Sequence, residues 1–267
     1  MNPLKLMPLL GLLCYWPGLS AQIQTNLGKG DTTCIFGDKV NVRRQPGPEA
    51  QVAFQLTAGE PVVILKVLDE RHRVSEVDMP WYLIKTFDGR QGYAWGGIVS
   101  LWKILQDGEV CFAAGVTGKS QYEVRAIQKG VILDRTANSF SVHDDVHAGV
   151  LQPGAGGLAG YRDLLIFEIG LEACGYLNYA WHILWNGHNF VSLPPCQYSA
   201  DGGNYYTEDY LFPDDMKENS DPTRLYFQTD RGEEEYFDND SGWVIETQTK
   251  VVLMQWDGKK YILPKDF

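Results

Sequence analysis

Short apolar runs follow one another along the chain, with glycine and proline between them. Residues 51–56 (QVAFQL) alternate apolar and polar side chains, and residues 61–67 (PVVILKV) form a β-branched run. Residues 81–85 (WYLIK) and 91–95 (QGYAW) continue the series. No stretch repeats apolar residues at helical spacing over three turns. The pattern therefore predicts an all-β protein.

The first strand of the series is short and ends at two arginines and a proline-rich turn. Val40-Asn41-Val42 is followed by Arg43 and Arg44, and then by Gln45-Pro46-Gly47-Pro48. The Pro-Gly pair imposes a turn. Successive side chains of an extended segment point to opposite sides. At least one of the two arginines is therefore expected to face solvent.

The motifs of residues 33–104 keep a fixed order. They are Val40-Asn41-Val42-Arg43, the turns at 46–48 and 57–60, the run at 61–67, Trp81-Tyr82, Asp88-Gly89 and Ile98-Val99. This order resembles that of bacterial Src-homology-3 (SH3) domains, and the resemblance implies a small five-stranded SH3-like barrel. Two features depart from the family pattern. Gly92-Tyr93-Ala94 replaces the usual Gly-Trp-Val, and a loop at residues 69–80 is longer and more charged.

The resemblance also implies a binding role, because such domains commonly anchor on cell-wall peptide or glycan. Trp81 and Tyr93 fall at positions that are often core, whereas Trp95 is expected to point away from Tyr93 and outward. An outward tryptophan near an arginine would form a shallow groove for a peptide carboxylate. The predicted ligand-binding residues are Arg43, Arg44, Trp81, Tyr93 and Trp95.

The second part of the chain, residues 105–267, contains a faint repeat. Residues 185–194 (WNGHNFVSLP) and 256–264 (WDGKKYILP) both place Asn-Gly or Asp-Gly between an apolar and an aromatic strand. Such pairs predict hairpins with two-residue type I′ turns. The repeat resembles degenerate blades of integrin-type β-propellers. Two or three blades cannot close a ring, so we expect an open, blade-like antiparallel β domain.

Charge divides the chain at about the same place. Residues 31–104 carry nine acidic and nine basic side chains, whereas residues 105–267 carry 25 acidic and 12 basic ones, a net charge of −13. This step predicts a domain boundary near residues 101–107. The acidity also argues against nucleic acid as a partner, because phosphate binding needs a basic surface.

The first residues have the pattern of a cleaved secretory signal. Lys5 precedes the apolar residues 6–14, and small residues end the segment at Ala21. We therefore expect a signal at 1–21, a linker at 22–32 and a secreted or periplasmic protein. Leu13 before Cys14 disfavours a lipoprotein, since lipoprotein signals need a small residue there. The later residues show no apolar run that predicts a transmembrane segment.

Four cysteines remain after the signal, and an oxidising compartment permits disulfides between them. Four cysteines allow three pairings, which the sequence does not distinguish. We favour Cys174 with Cys196, because both flank one predicted hairpin. Cys34 with Cys111 would then tie the two domains together.

Residues that suggest catalysis or metal binding are few. Cys111 and Cys174 lack the Asp-Cys-Ser-Gly motif of cell-wall cysteine peptidases. The cluster at residues 143–147 (HDDVH) has ligand-type side chains, but its glycine-rich context predicts a solvated loop. Asp201 and Glu208, near three tyrosines, would suit a glycan hydrolase if they faced each other across a cleft. No catalytic residue, metal site or cofactor is predicted.

Together these features predict a secreted or periplasmic, non-catalytic binding protein. The SH3-like domain would dock on peptidoglycan or another envelope component, and the sequence does not predict the oligomeric state. Two alternatives stay open. One is a cell-wall or glycan hydrolase with an acidic site in the C-terminal domain, and the other is a protein-interaction scaffold of the envelope.

Overall fold

The structure, a computed structural model, describes residues 27–106, 109–140, 146–170, 175–201, 204–216, 220–236 and 243–265. Its described residues form antiparallel strands, turns and three short 3₁₀ segments, with no α-helix, which confirms the predicted all-β class. The predicted signal at 1–21 lies outside the described residues. Within the described chain, no helix is long and apolar enough to cross a membrane.

The N-terminal sheet has six strands, whereas the sequence predicted a five-stranded barrel. In chain order they are β1 (Thr32–Cys34), β2 (Lys39–Arg43), β3 (Val52–Thr57), β4 (Pro61–Val74), β5 (Val77–Thr86) and β6 (Gln91–Trp95). Their order in the sheet is β1-β4-β5-β6-β2-β3. A 3₁₀ segment, Gly96–Ile98, follows β6.

This sheet curls around a single hydrophobic core. Alternate residues of each strand point inward, since side chains of a strand alternate between its faces. At Gly92 the sheet closes tightly, because a Cβ atom there would lie 2.6 Å from a methyl carbon of Val42. The buried residues of this core are Leu27, Ile35, Val40, Val42, Leu56, Val62, Ile64, Tyr82, Ile84, Ala94 and Val99.

A middle sheet packs against the barrel with one face. It consists of β7 (Trp102–Gln106), β8 (Val110–Gly118), β9 (Gln121–Gln128) and β10 (Val131–Ser139), in the order β10-β9-β8-β7. Cys111 and Ala113 of β8 join barrel residues in one buried cluster. Phe112 and Ala114, on the opposite face, pack against the third sheet. Strand β7 spans the boundary expected at residues 104 and 105.

The third sheet is the largest. Its strands are β11 (Val146–Pro153), β12 (Asp163–Ile169), β13 (Asn178–Trp185), β14 (Phe190–Ser192), β15 (Cys196–Asp201), β16 (Asn204–Leu211), β17 (Tyr226–Tyr236) and β18 (Trp243–Leu253). They follow the order β11-β12-β13-β15-β16-β17-β18, and β14 pairs with β13. A separate ribbon joins β19 (Gln255–Trp256) to β20 (Tyr261–Ile262). The resemblance of this part to propeller blades stays a prediction.

Aromatic rings fill the space between the middle and third sheets. The Phe112 ring lies 5.6 Å from the Trp185 ring and 5.9 Å from the Phe190 ring, between centroids. Trp181 and Phe167 extend the same cluster, with ring centroids 5.9 Å apart. The two sheets therefore form a sandwich with an aromatic centre.

The two repeated motifs do form hairpins, but not with two-residue type I′ turns. Trp185 pairs with Phe190 and Trp256 pairs with Tyr261, so each loop has four residues. In the first loop, Oδ1 of Asn186 accepts hydrogen bonds from the backbone N–H groups of residues 188 and 189. Asp257 does the same in the second loop. The side-chain acceptor stabilises a longer turn than the Asn-Gly and Asp-Gly pairs predicted.

Candidate functional site

Most of the predicted ligand-binding residues lie on one outer face of the barrel. Trp81 of β5 is directly opposite Trp95 of β6. Tyr93 is opposite Arg43 of β2. Directly opposite residues share a face of a sheet. We call this surface, formed by Arg43, His72, Trp81, Tyr93 and Trp95, the aromatic face.

Tyr93 was expected in the core with Trp95 pointing the other way, and this expectation is wrong. The two residues are two positions apart in β6, and side chains of a strand return to the same face at every second residue. Gly92 and Ala94 are the buried residues of β6, and Tyr93 and Trp95 are half-buried on its outer side. The outward direction expected for Trp95 is correct, and Tyr93 lies beside it.

Trp95 is held in one orientation by two contacts. Its indole Nε1 donates a hydrogen bond of 2.8 Å to the backbone carbonyl of His72. Its ring also covers Gly97, where a Cβ atom would lie 2.4 Å from the indole Cη2. Only glycine leaves room for the ring in this position. The indole is therefore pre-organised before any ligand arrives.

Trp81 and His72 complete the aromatic part of the face. Trp81 is only 4% exposed, so it supports the surface more than it contacts solvent. The His72 ring lies 6.3 Å from the Trp81 ring and 6.0 Å from the Trp95 ring, edge-on to the latter. His72 was not predicted from the sequence.

His72 reaches this position on a long hairpin. The segment at 69–80, expected as a charged loop, continues β4 and β5 beyond the barrel and turns at Ser75, whose φ is 52°. Arg71 Nε lies 2.8 Å from Asp78 Oδ2, and Arg71 Nη2 also donates to the Asp78 carbonyl. The hairpin thus brings His72 onto the two tryptophans.

The two arginines differ in position. Arg43 is half-buried beside Tyr93, and its Nη1 donates a 2.5 Å hydrogen bond to the Ala50 carbonyl. Arg44 lies past the end of β2 and is exposed. Neither guanidinium forms an ion pair with a carboxylate of the described residues. A guanidinium has five N–H donors, and the Ala50 carbonyl engages one of those on Arg43.

The structure does not bring the alternative acidic pair together. Asp201 pairs with Asn204 at the tip of the β15–β16 hairpin, and Glu208 lies four residues further along β16, roughly 13 Å away at 3.3 Å per residue. Glu208 also has both oxygens engaged, by the backbone N–H of Gln197 at 2.7 Å and by the Tyr206 hydroxyl at 2.6 Å. Glycoside hydrolysis needs two carboxyl groups roughly 5–9.5 Å apart.

The cysteines are buried thiols in the part of the chain that the structure describes. Cys34, Cys111 and Cys196 are free, so the favoured Cys174–Cys196 bond is not formed, and Cys174 itself lies outside the described residues. Burial raises the pKa of the Cys196 thiol, and nearby carboxylates raise it further. None of the three thiols is an exposed nucleophile.

Metal-ligand clusters are absent from the described residues. The predicted loop cluster at 143–147 falls on residues whose side chains lie outside that description.

Comparison with known proteins identifies a family for part of the chain. Residues 38–100 match the family model of the bacterial SH3 domain. No curated protein and no solved structure matches the chain. The matched segment runs from β2 through Gly96–Ile98 and contains every residue of the aromatic face. The segment at residues 38–100 therefore belongs to the bacterial SH3 domain family.

Proposed function

We propose that the protein is a secreted or periplasmic, non-catalytic binder whose SH3 domain docks on peptidoglycan through the aromatic face. The observation that carries the proposal is a fixed indole beside a cation that has no carboxylate partner among the described residues. Trp95 lies two residues along β6 from the partner of Arg43, about 7 Å away at 3.3 Å per residue. The two residues are therefore close enough along the sheet for one extended ligand to reach both side chains.

The chemistry of this pair suits the peptide part of the cell wall. Arginine binds a carboxylate through two parallel hydrogen bonds. Aromatic faces offer a rigid apolar surface to peptide or sugar at small entropic cost. The hydrogen bond to Ala50 already orients Arg43, so less freedom is lost on binding.

The distribution of net charge along the chain also favours the SH3 domain as the docking site. Residues 31–104 have no net charge, whereas residues 105–267 carry a net charge of −13. Like charges repel, so an anionic wall peptide meets less resistance at the SH3 domain than at the remainder of the chain. An acidic remainder also keeps the bound protein soluble.

Replacing Trp95 or Arg43 is expected to weaken wall binding. Trp95→Ala and Arg43→Gln should each raise the dissociation constant for purified sacculi about 10-fold, the loss typical of a central contact residue. Co-sedimentation across a series of sacculus concentrations measures the change. Trp256→Ala is the matched control, because Trp256 is a partly exposed tryptophan outside the SH3 domain. It should bind as tightly as the wild type.

A third variant separates the orientation of the indole from its presence. Gly97→Ala keeps Trp95 but places a methyl group where the ring lies, so it should weaken binding in the same direction. A folded Trp95→Ala protein that pelleted as fully as the wild type would overturn the proposed site. Release of soluble fragments from labelled sacculi would overturn the non-catalytic assignment.

A further inference from the structure

Two cysteines meet at the contact between the SH3 domain and the middle sheet. Cys34 ends β1 of the barrel, Cys111 lies in β8, and their Sγ atoms are 3.6 Å apart across 77 residues of sequence. Cys34 is fully buried and Cys111 is 5% exposed. The residues packed with them are Phe36, Ala58, Ala113 and Ile127.

The backbones that carry the two thiols are fixed by Ser100. The Ser100 N–H donates to the Cys34 carbonyl at 2.9 Å, and Thr33 Oγ1 donates to the Ser100 carbonyl at 2.6 Å. On the other side, Ser100 Oγ lies 2.9 Å from the Ala114 carbonyl and accepts from the Ala114 N–H at 3.0 Å. Strands β1 and β8 are thus both tied to Ser100, which keeps the two sulfur atoms close to each other.

A second contact holds the same interface. Arg125 of β9 donates to the Phe36 carbonyl at 2.5 Å, and its guanidinium lies 3.9 Å from the centre of the Phe36 ring. Glu123 pairs with the same guanidinium. The thiols therefore face each other within an organised interface.

We infer that Cys34 and Cys111 form a disulfide that locks the SH3 domain onto the middle sheet. The electron acceptor is an external disulfide of the protein or small-molecule class. Both thiols are buried in the closed interface, so the reaction takes place when the interface opens locally. One thiolate then attacks the external disulfide, forms a mixed disulfide and releases one thiol. The second cysteine then attacks the sulfur of the first, which closes the intramolecular bond and releases the second thiol. Two protons and two electrons leave the pair, and the oxidant becomes two thiols.

The surroundings of the thiols indicate the order of attack. The Cys34 thiol lies within hydrogen-bonding distance of Cys111, which lowers the pKa of Cys111, and the Lys103 ammonium lowers it further. The same contact and burial raise the pKa of Cys34. Thiolate is the attacking species, and Cys111 is the more exposed of the two. Cys111 therefore attacks first, and Cys34 completes the bond.

The test compares oxidised and reduced full-length protein. Peptide mapping without reduction, after exposure to oxidised glutathione, should recover Cys34 and Cys111 in one linked peptide pair. Oxidation should raise the melting temperature by about 10 °C, because the bond closes a long loop in the unfolded chain. Dithiothreitol should reverse both effects.

Alanine variants give the controls. Cys34→Ala and Cys111→Ala should abolish the difference in melting temperature between the oxidised and reduced forms, while Cys196→Ala should retain it. Mapping on the wild-type protein keeps the inference testable even if a variant misfolds. If both thiols of the oxidised wild type are alkylated after denaturation, or if either is linked to another cysteine, the inference is wrong.

Discussion

Phe112→Ala is expected to lower the free energy of unfolding by about 4 kcal/mol, the usual cost of removing a buried phenylalanine ring. Phe112 has no exposed surface and packs between the Trp185 and Phe190 rings. The aromatic neighbours are held by different strands and cannot close the space that the ring leaves. The cost therefore contains a cavity contribution besides the lost transfer energy.

Urea unfolding followed by tryptophan fluorescence measures this loss, and the melting temperature should fall by about 10 °C. Val131→Ala is the control on the same sheet, because Val131 is 60% exposed in β10. Its effect should stay within about 0.5 kcal/mol. Equal losses in the two variants would show that the sandwich does not depend on its aromatic centre.

Phe112 should affect stability more widely than an ordinary core residue, because it lies in the middle sheet between two interfaces. Phe112 faces the third sheet, and its neighbour Cys111 faces the barrel. One strand, β8, thus contributes to both interfaces of the sheet. Loss of the Phe112 packing should therefore also weaken the contact between the middle sheet and the barrel, since the same strand, β8, forms both interfaces.

The SH3 domain was predictable from sequence because its signals are local. The turn at 46–48 ends β2, and the short Asp88-Gly89 turn fixes how β5 pairs with β6. Hairpins of this length leave few alternative registers. Elements joined by such turns keep their order and spacing in the sequence, and the resemblance to bacterial SH3 domains depends on these.

The hairpin that carries His72 was missed for a physical reason. Strand recognition depends on one face being apolar, and residues 69–76 (DERHRVSE) are polar or exposed on both faces. Their strand geometry comes from pairing with residues 77–80 and from the Arg71–Asp78 contact. The alternation of charges with His72 and Val74 was the only sequence signal.

The two repeated hairpins of residues 105–267 show where local sequence signals fail, because their similar sequences lie in different surroundings. The Trp185 and Trp256 hairpins have the same loop length and a side-chain Oδ1 acceptor at the same loop position. Trp185 is fully buried in the sandwich, whereas Trp256 is 48% exposed. Burial depends on which strands lie across from a hairpin, and these partners are distant in sequence. The motif therefore predicts the turn region but not its role.

The candidate site depends on both local sequence signals and non-local contacts. At least one of Arg43 and Arg44 was expected to face solvent, and Trp95 was expected to point outward. Arg44 is exposed, and Arg43 and Trp95 both lie on the aromatic face. Contacts that fix them come from elsewhere, namely the His72 carbonyl and the Ala50 carbonyl. Sequence reasoning could select residue types for binding, but their orientation depends on those non-local acceptors.

Acidification is expected to destabilise the protein through one buried histidine, His182. It lies in β13 with 4% of its surface exposed, against the Tyr210 ring at 5.1 Å. Its Nδ1 has no hydrogen-bond partner among the described residues. Burial disfavours the charged imidazolium and lowers the pKa of His182 to about 4.

The direction of the effect follows from proton binding. An unfolded histidine has a pKa near 6.5, so the unfolded chain gains a proton between about pH 6.5 and 4 that the folded chain does not. The stability from neutral His182 is present above pH 6.5 and is lost as the pH falls toward 4. The difference amounts to about 3 kcal/mol. Raised pKa values keep the neighbouring Tyr210 and Cys196 neutral throughout this range.

Urea unfolding at pH 7, 6, 5 and 4 tests the effect by comparing variants. His182→Leu should lose about 3 kcal/mol less than the wild type between pH 7 and 4, whatever its stability at pH 7. The comparison cancels carboxyl groups that titrate in the same range in both proteins. His188→Gln, in the exposed loop after β13, should keep the wild-type dependence. An identical pH slope in His182→Leu and the wild type would mean that water or a shifted backbone reaches His182 and accepts its proton at little cost.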